Sequence, residues 1–129
     1  METAAVEEEL GSFFRRESNG ITAVYLFGSV ARGEARPASD VDVAVLFERT
    51  PPRTLRGRPF ELEAALESTL RRQVQIVTLN DAAPDLVHRV LRDGRLILDR
   101  DPAFRIRFEV QARNAYFDLE PVRRAYRRA

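Results

Sequence analysis

Two aspartates that lie two residues apart, Asp40 and Asp42, are the part of the sequence best suited to chemistry. Asp42 belongs to the apolar run VDVAVLF, residues 41–47, which is typical of a buried β-strand. Because residues two apart on a strand share a face, we expect both carboxylates to project side by side. Two like charges at the edge of a dry sheet need a neutralising partner, and Mg²⁺ prefers such oxygen ligands. The alternative is that Asp40 caps a turn and Asp42 points into water.

A second chemical feature, the pair Gly28 and Ser29, follows another apolar run, residues 22–27. The pattern predicts a turn from this strand into a helix over VARGEA. Glycine there lets the backbone approach a ligand closely, and the free N–H groups at a helix start favour an anion such as phosphate. Arg32 and Arg36 are nearby candidates for phosphate contacts, with solvated loop charges as the alternative.

The elements that position these residues alternate between helix-like and strand-like segments, which predicts an α+β or mixed α/β fold around one small sheet. Predicted helices cover residues 2–17, 58–72, 84–92 and 102–126, the last of them bent or ended near Pro121. Predicted strands cover residues 22–27, 41–47 and 74–79, and residues 95–99 are predicted to be a short edge strand or extended segment. We expect residues 1–129 to form a single domain, since this length supplies one core.

Composition excludes several classes of function. The chain has no cysteine, which excludes disulfides and thiolate metal sites, and all 21 basic residues are arginine, which excludes a P-loop lysine and Schiff-base chemistry. The net charge of +1 predicts no general attraction to nucleic acid or anionic membranes. No apolar stretch approaches the ~20 residues of a membrane span. The acidic start, METAAVEEEL, is unlike a signal peptide and predicts a cytoplasmic protein.

The motif formed by Gly28-Ser29, ten further residues and Asp40-Val41-Asp42 resembles the signature of the DNA polymerase β-like nucleotidyltransferases. More narrowly, the chain resembles the minimal nucleotidyltransferase (MNT) antitoxins that pair with HEPN-domain toxins. The resemblance implies the nucleotidyltransferase fold, a small mixed sheet flanked by helices. It also implies that Gly28 and Ser29 contact the triphosphate of ATP, that Asp40 and Asp42 hold Mg²⁺, and that AMP is transferred to a tyrosine of the toxin.

One position departs from the pattern of active family members, which carry a third acidic residue on the strand after the helical crossover. Here that segment is residues 74–77, and Gln75 stands where the carboxylate is expected. A glutamine amide still offers an oxygen to a metal ion, but it does not take a proton from an attacking hydroxyl. Asp81 is a substitute if the following loop folds back. Its alternative role, shared with Asn80, is to cap the helix that begins near Pro84.

Two functions from different classes therefore stay open. In the first, the chain is an enzyme that adenylylates the HEPN toxin; in the second, Gln75 leaves it weak or inactive and it neutralises the toxin by stoichiometric binding. A dimeric nucleotidyltransferase for small molecules is a more distant third. Because the predicted elements leave no acceptor-binding domain, we expect a second protein to present the acceptor within a hetero-oligomer. An apolar stripe on the N-terminal or C-terminal helix is the expected docking face.

Overall fold

Helices and strands alternate along the chain in the predicted order. The computed structural model describes residues 2–17, 20–34, 36, 39–52 and 57–128. The helices are α1 (Glu2–Arg16), α2 (Gly28–Ala31), α3 (Arg58–Leu70), α4 (Pro84–Asp93), α5 (Pro102–Asp118) and α6 (Glu120–Arg128). The strands are β1 (Ile21–Phe27), β2 (Val41–Phe47), β3 (Val74–Thr78) and β4 (Arg95–Asp99). None of the helices described is both long and apolar enough to cross a membrane.

The four strands form one mixed sheet in the order β3-β2-β1-β4. β1 runs antiparallel to both of its neighbours, and β2 runs parallel to β3. The register pairs Asp42 with Phe27 on one side and with Gln75 on the other. The last residues of β1 and the first residues of β2 and β3 therefore lie side by side at one end of the sheet. The predicted mixed sheet flanked by helices is confirmed.

Successive side chains of β2 point to opposite faces of the sheet, so the strand contributes to two apolar layers of the core. Val41, Val43 and Val45 pack on the face that α1 and α3 cover. Ala44 and Leu46 pack on the opposite face, against α4 and α5. Asp42 has the same parity as Ala44 and Leu46, so its carboxylate lies on the α4 side of the sheet.

A polar network fixes α5 to the sheet on the face that α4 and α5 cover. The buried hydroxyl of Tyr25 donates to Glu109 Oε2 at 2.7 Å. Arg105 donates to the same carboxylate at 3.1 Å and lies 2.9 Å from Asp99 of β4. Burial, followed by the hydrogen bond to Glu109, raises the pKa of Tyr25 far above its usual value, so this hydroxyl remains a donor.

A stack of side chains ties α6 back to α4. The rings of His88 and Tyr116 are parallel to within 9° with centroids 3.7 Å apart, and the Arg123 guanidinium lies 3.7 Å from the Tyr116 ring centroid. Arg123 also donates to Asp85 Oδ1 at 2.9 Å. These contacts orient α6 so that other residues of the helix face outward.

The outer edge of β3 is covered by carboxylates of α3. Glu67 Oε2 accepts a hydrogen bond from the Val74 N–H at 3.1 Å, and Glu63 Oε2 accepts one from the Ile76 N–H at 3.0 Å. Because β2 lies on the other side of β3, these N–H groups point away from the sheet. Two glutamates one helical turn apart therefore satisfy the donors that an edge strand leaves unpaired.

The structure corrects two predicted boundaries and agrees with a third. The helix expected over VARGEA is a single turn that ends at Ala31, since Gly33 follows with φ +72°. The strand expected over 74–79 ends at Thr78, because Leu79–Asp81 form a 3-10 turn. The C-terminal helix is interrupted at Leu119 and continues as α6 from Glu120, with Pro121 in the first turn, which agrees with the predicted bend or end near Pro121.

Candidate active site

At this end of the sheet, the backbone of Gly28 packs against the side chain of Asp42. Gly28 has φ +76°, a conformation that glycine adopts at little cost. A Cβ atom at this position would lie 2.1 Å from Asp42 Oδ2 and 3.0 Å from Asp42 Cγ. Only a residue without a side chain therefore allows the carboxylate to lie against the turn between β1 and α2.

A cavity of about 320 Å³ opens at this contact. Its lining residues are Phe27, Gly28, Ser29, Arg32, Asp42, Arg89 and Asp93. Four of the residues singled out from the sequence are thus brought together in one concave surface. Asp40 is half-buried just before β2, and its charge acts on Asp42.

The Asp42 carboxyl group has no hydrogen bond from the described residues. Burial is the main reason that its pKa is raised, the charge of Asp40 raises it further, and Arg32 opposes both effects. Asp42 therefore does not point freely into water as the alternative supposed. Among the described residues before β2, the Arg36 N–H donates to Ser39 Oγ at 2.9 Å and not to Asp40.

The two carboxylates fit a Mg²⁺ ion by their chemistry. Within the described ranges, no group of three or more acidic, histidine or cysteine side chains is arranged around a common point. Mg²⁺ commonly uses only one or two protein carboxylates and takes its other ligands from water and substrate phosphates. A bound cation would also offset the charge of Asp40, which after burial is the second cause of the raised pKa of Asp42.

Gln75 lies beside Asp42 in the parallel register of β2 and β3, and its side chain is exposed. Asp81 does not join it, because it follows Thr78 at the opposite end of β3. The predicted cap by Asn80 or Asp81 is also wrong, since Ala83 occupies the N-cap of α4 without a side-chain hydrogen bond. The Asn80 amide instead bonds to the backbone of β2.

Two residues of α4 that the sequence analysis did not select, Arg89 and Asp93, complete the cavity. They are four residues apart, so they share one face of the helix. Arg92 donates to both oxygens of Asp93, at 3.0 and 2.9 Å, and this hydrogen bonding lowers the pKa of Asp93. The i, i+4 spacing was visible in the sequence, but nothing local connected α4 with a strand more than forty positions earlier.

Of the two arginines predicted to contact phosphate, one lines the cavity and the other does not. Arg32 lines the cavity and forms a 3.1 Å ion pair with Glu34, whereas Arg36 is not among the lining residues. A further arginine, Arg72, donates to the backbone oxygen of Ser39 at 2.8 Å and pairs with Glu2 of α1. Arg72 therefore anchors the segment directly before Asp40 to two other parts of the chain.

Comparisons with known proteins agree with this geometry. Residues 8–103 match the family described as polymerase beta, nucleotidyltransferase. The protein adenylyltransferase MntA of Thermococcus cleftensis is 37% identical over 78 residues, which are 60% of this chain and 76% of that protein.

Solved structures extend the similarity to nearly the whole chain. A toxin-antitoxin crystal structure with AMP-PNP superposes with a TM-score of 0.80 at 28% identity, and the match covers 93% of this chain and 94% of the other. The structure of the tri-AMPylated HEPN toxin of Shewanella oneidensis in complex with MNT antitoxin gives a TM-score of 0.75 at 25% identity, with 96% and 94% covered. The resemblance inferred from the sequence is confirmed.

Proposed function

The chain belongs to the polymerase beta nucleotidyltransferase family, among relatives named MntA protein adenylyltransferase, and from this premise we propose that it is a Mg²⁺-dependent antitoxin enzyme. Its reaction is the transfer of AMP from ATP to a tyrosine of a HEPN-domain toxin in the cytoplasm. The observation that carries the proposal is the cavity in which the Gly28 backbone and the Asp42 carboxylate are in contact.

The residues of the cavity have distinct roles in this reaction. Gly28 and Ser29 position the triphosphate of ATP, because the absence of a side chain at Gly28 leaves the backbone open to phosphate. Asp42, together with Asp40 just before β2, holds Mg²⁺, and Arg32 of the cavity contributes a guanidinium that suits phosphate oxygens. When bound, Mg²⁺ supplies charge neutralisation for the phosphates.

The chemical step exchanges one phosphorus–oxygen bond for another. The tyrosine oxygen bonds to the α-phosphorus of ATP, and the bond from that phosphorus to the pyrophosphate oxygen breaks in line with it. The phenol loses its proton to water, since Gln75, the residue in register with Asp42, is not a base. We therefore expect slow transfer that becomes faster as the tyrosine ionises at higher pH.

The toxin docks on a C-terminal apolar face in this proposal. Large apolar side chains are exposed along α5, α6 and the turn between them: Ile106, Val110, Phe117, Leu119, Val122 and Tyr126. By contrast Val6, Leu10 and Phe14 of α1 are buried against the sheet. Of the two terminal helices considered from the sequence, the C-terminal one offers the larger apolar surface to a partner. The toxin complexes of structurally similar chains favour such a partner.

Intact-protein mass spectrometry of the toxin tests the proposal. The toxin is incubated with this chain, ATP and Mg²⁺, and the mass of AMP should appear on it in one or more copies. Asp42→Asn should abolish the added mass while leaving the complex intact, because Asp42 is not on the C-terminal apolar face. Arg36→Gln, a change of charge in the segment between α2 and β2 but outside the cavity, is the matched control. An unmodified toxin with the wild-type chain would refute the enzymatic proposal.

Gln75 favours a second candidate function, stoichiometric neutralisation without transfer. An amide lies beside Asp42 at the position where the family resemblance leads us to expect a carboxylate, so the site has one fewer negative charge to hold a second metal ion. Transfer by Gln75→Asp but not by the wild type would support this candidate. Transfer by both, with a faster rate for Gln75→Asp, would support the enzyme and show that the amide limits it.

A further inference from the structure

Arg89 is the arginine of the cavity that has no ion-pair or hydrogen-bond partner among the described residues. Arg32 is paired with Glu34, and Arg92, which neighbours the cavity, is held by both oxygens of Asp93. Within the part of the chain that the structure describes, the exposed guanidinium of Arg89 has no hydrogen bond or ion pair, although its side chain lines the cavity. The site thus contains the guanidinium of Arg89, which has no partner among the described residues, as well as the carboxyl groups of Asp40 and Asp42.

Arg89 lies on a different wall of the cavity from Gly28 and Ser29. Gly28 and Ser29 form the wall of the cavity at the end of β1, and Arg89 and Asp93 form the wall supplied by α4. Asp93 is already neutralised by Arg92, so it does not compete for Arg89. A polyphosphate bound against Gly28 therefore meets a free guanidinium from a second element, and a guanidinium binds phosphate oxygens with two parallel hydrogen bonds.

We propose that Arg89 binds the β- and γ-phosphates of ATP and holds the pyrophosphate as it leaves. This inference rests on the proposed function and adds a residue to it. Transfer of AMP separates the α-phosphate from the other two, and the leaving pyrophosphate gains negative charge as the bond breaks. A fixed cation beside it lowers the barrier as well as the dissociation constant of ATP.

Equilibrium binding of ATP and of AMP, each with Mg²⁺, separates this role from a structural one. Arg89→Ala should weaken ATP binding about ten- to hundred-fold, the range for hydrogen bonds to charged groups, and leave AMP binding unchanged. Arg89→Lys should recover part of the ATP affinity. Arg107→Ala, which removes an exposed arginine of α5 outside the cavity, should bind both nucleotides as the wild type does.

The outcomes distinguish this inference from the proposed function. Equal losses of ATP and AMP affinity in Arg89→Ala would assign the residue a structural role and overturn the inference. So would unchanged ATP affinity in a chain whose wild type binds ATP and modifies the toxin, and the proposed function would then stand. A wild-type chain that binds no ATP would overturn both.

Discussion

Replacement of Gly28 by alanine tests the contact on which the candidate site is built. The substitution has two separable effects, a backbone effect from φ +76° and a steric effect from Asp42 Oδ2 at 2.1 Å. Gly33 provides the matched control. It has φ +72°, and a Cβ atom there would meet nothing within 4 Å. Gly33→Ala therefore reports the backbone effect alone.

The magnitudes follow from these geometries. An alanine forced into the left-handed region costs about 1–2 kcal/mol of folding free energy, and this applies to both variants. Gly28→Ala adds an overpacking cost of about 1–3 kcal/mol. We therefore expect a loss of about 2–5 kcal/mol for Gly28→Ala and of about 1–2 kcal/mol for Gly33→Ala. For a domain of this size, each kcal/mol corresponds to roughly 4 °C in Tm.

The rate of AMP transfer should differ more between Gly28→Ala and Gly33→Ala than the free energy of unfolding does. The Asp42 carboxylate must retreat by about 1 Å to accept a Cβ atom at Gly28, and a displacement of that size costs roughly 100-fold in rate. Gly33→Ala should keep nearly wild-type transfer at temperatures where it is folded. The assays are urea unfolding monitored by circular dichroism and the rate of AMP addition to the toxin.

A double variant isolates the steric effect. Asp42→Ala removes the Oδ2 and Cγ atoms that the new Cβ would meet and keeps only the Cβ of residue 42, at 3.2 Å. Gly28→Ala should therefore cost only slightly more in that background than Gly33→Ala costs in the wild type. Equal losses of stability for Gly28→Ala and Gly33→Ala in the wild-type background, with equal transfer rates, would refute the reasoning.

Three further predictions concern charge, hydrogen bonding and docking. Asp42→Asn should unfold at higher urea than the wild type at neutral pH without Mg²⁺, because burial and the neighbouring carboxylate make the ionised form unfavourable in the folded chain. Since a raised folded-state pKa costs stability only once the group ionises, this advantage should disappear in unfolding curves below about pH 3.9. Tyr25→Phe should lose about 1–2 kcal/mol in the same assay, since the Glu109 carboxylate loses a buried donor at 2.7 Å; an unchanged midpoint would contradict the network. Phe117→Asp should weaken toxin binding by titration calorimetry at least about tenfold, whereas Phe60→Asp, on the exposed side of α3, should not; equal effects would exclude the C-terminal apolar face as the docking site.

Much of the fold was predictable because its signals are local. The apolar run of β2 and the four-residue spacing of apolar side chains on α3 each specify an element without reference to the rest of the chain. The boundaries that were wrong depend on distant contacts. β3 ends at Thr78, and the following Asn80 is held by the backbone of Phe47, a residue of another strand. No local pattern reports such a bond.

The part of the candidate site that lies within the sequence motif was predictable. Gly28 and Asp42 lie in a short segment whose spacing indicates phosphate and metal chemistry, and the structure places them in contact. Arg89 and Asp93 were not predictable, because they reach the cavity only after the crossover through α3 and β3 has brought α4 onto the sheet. Arg72 was missed for the same reason, since its partner Ser39 is remote in sequence.

The glutamates along the edge of β3 have a consequence for how the protein behaves in a crowded solution. An open strand edge is a template on which a strand of another copy can add, and repeated addition leads to aggregates. Glu63 and Glu67 already accept the hydrogen bonds of the Val74 and Ile76 N–H groups that an incoming strand would take. The sheet therefore stops growing at β3. A protein whose proposed work is to meet a different chain is in this way kept from polymerising with itself along that edge.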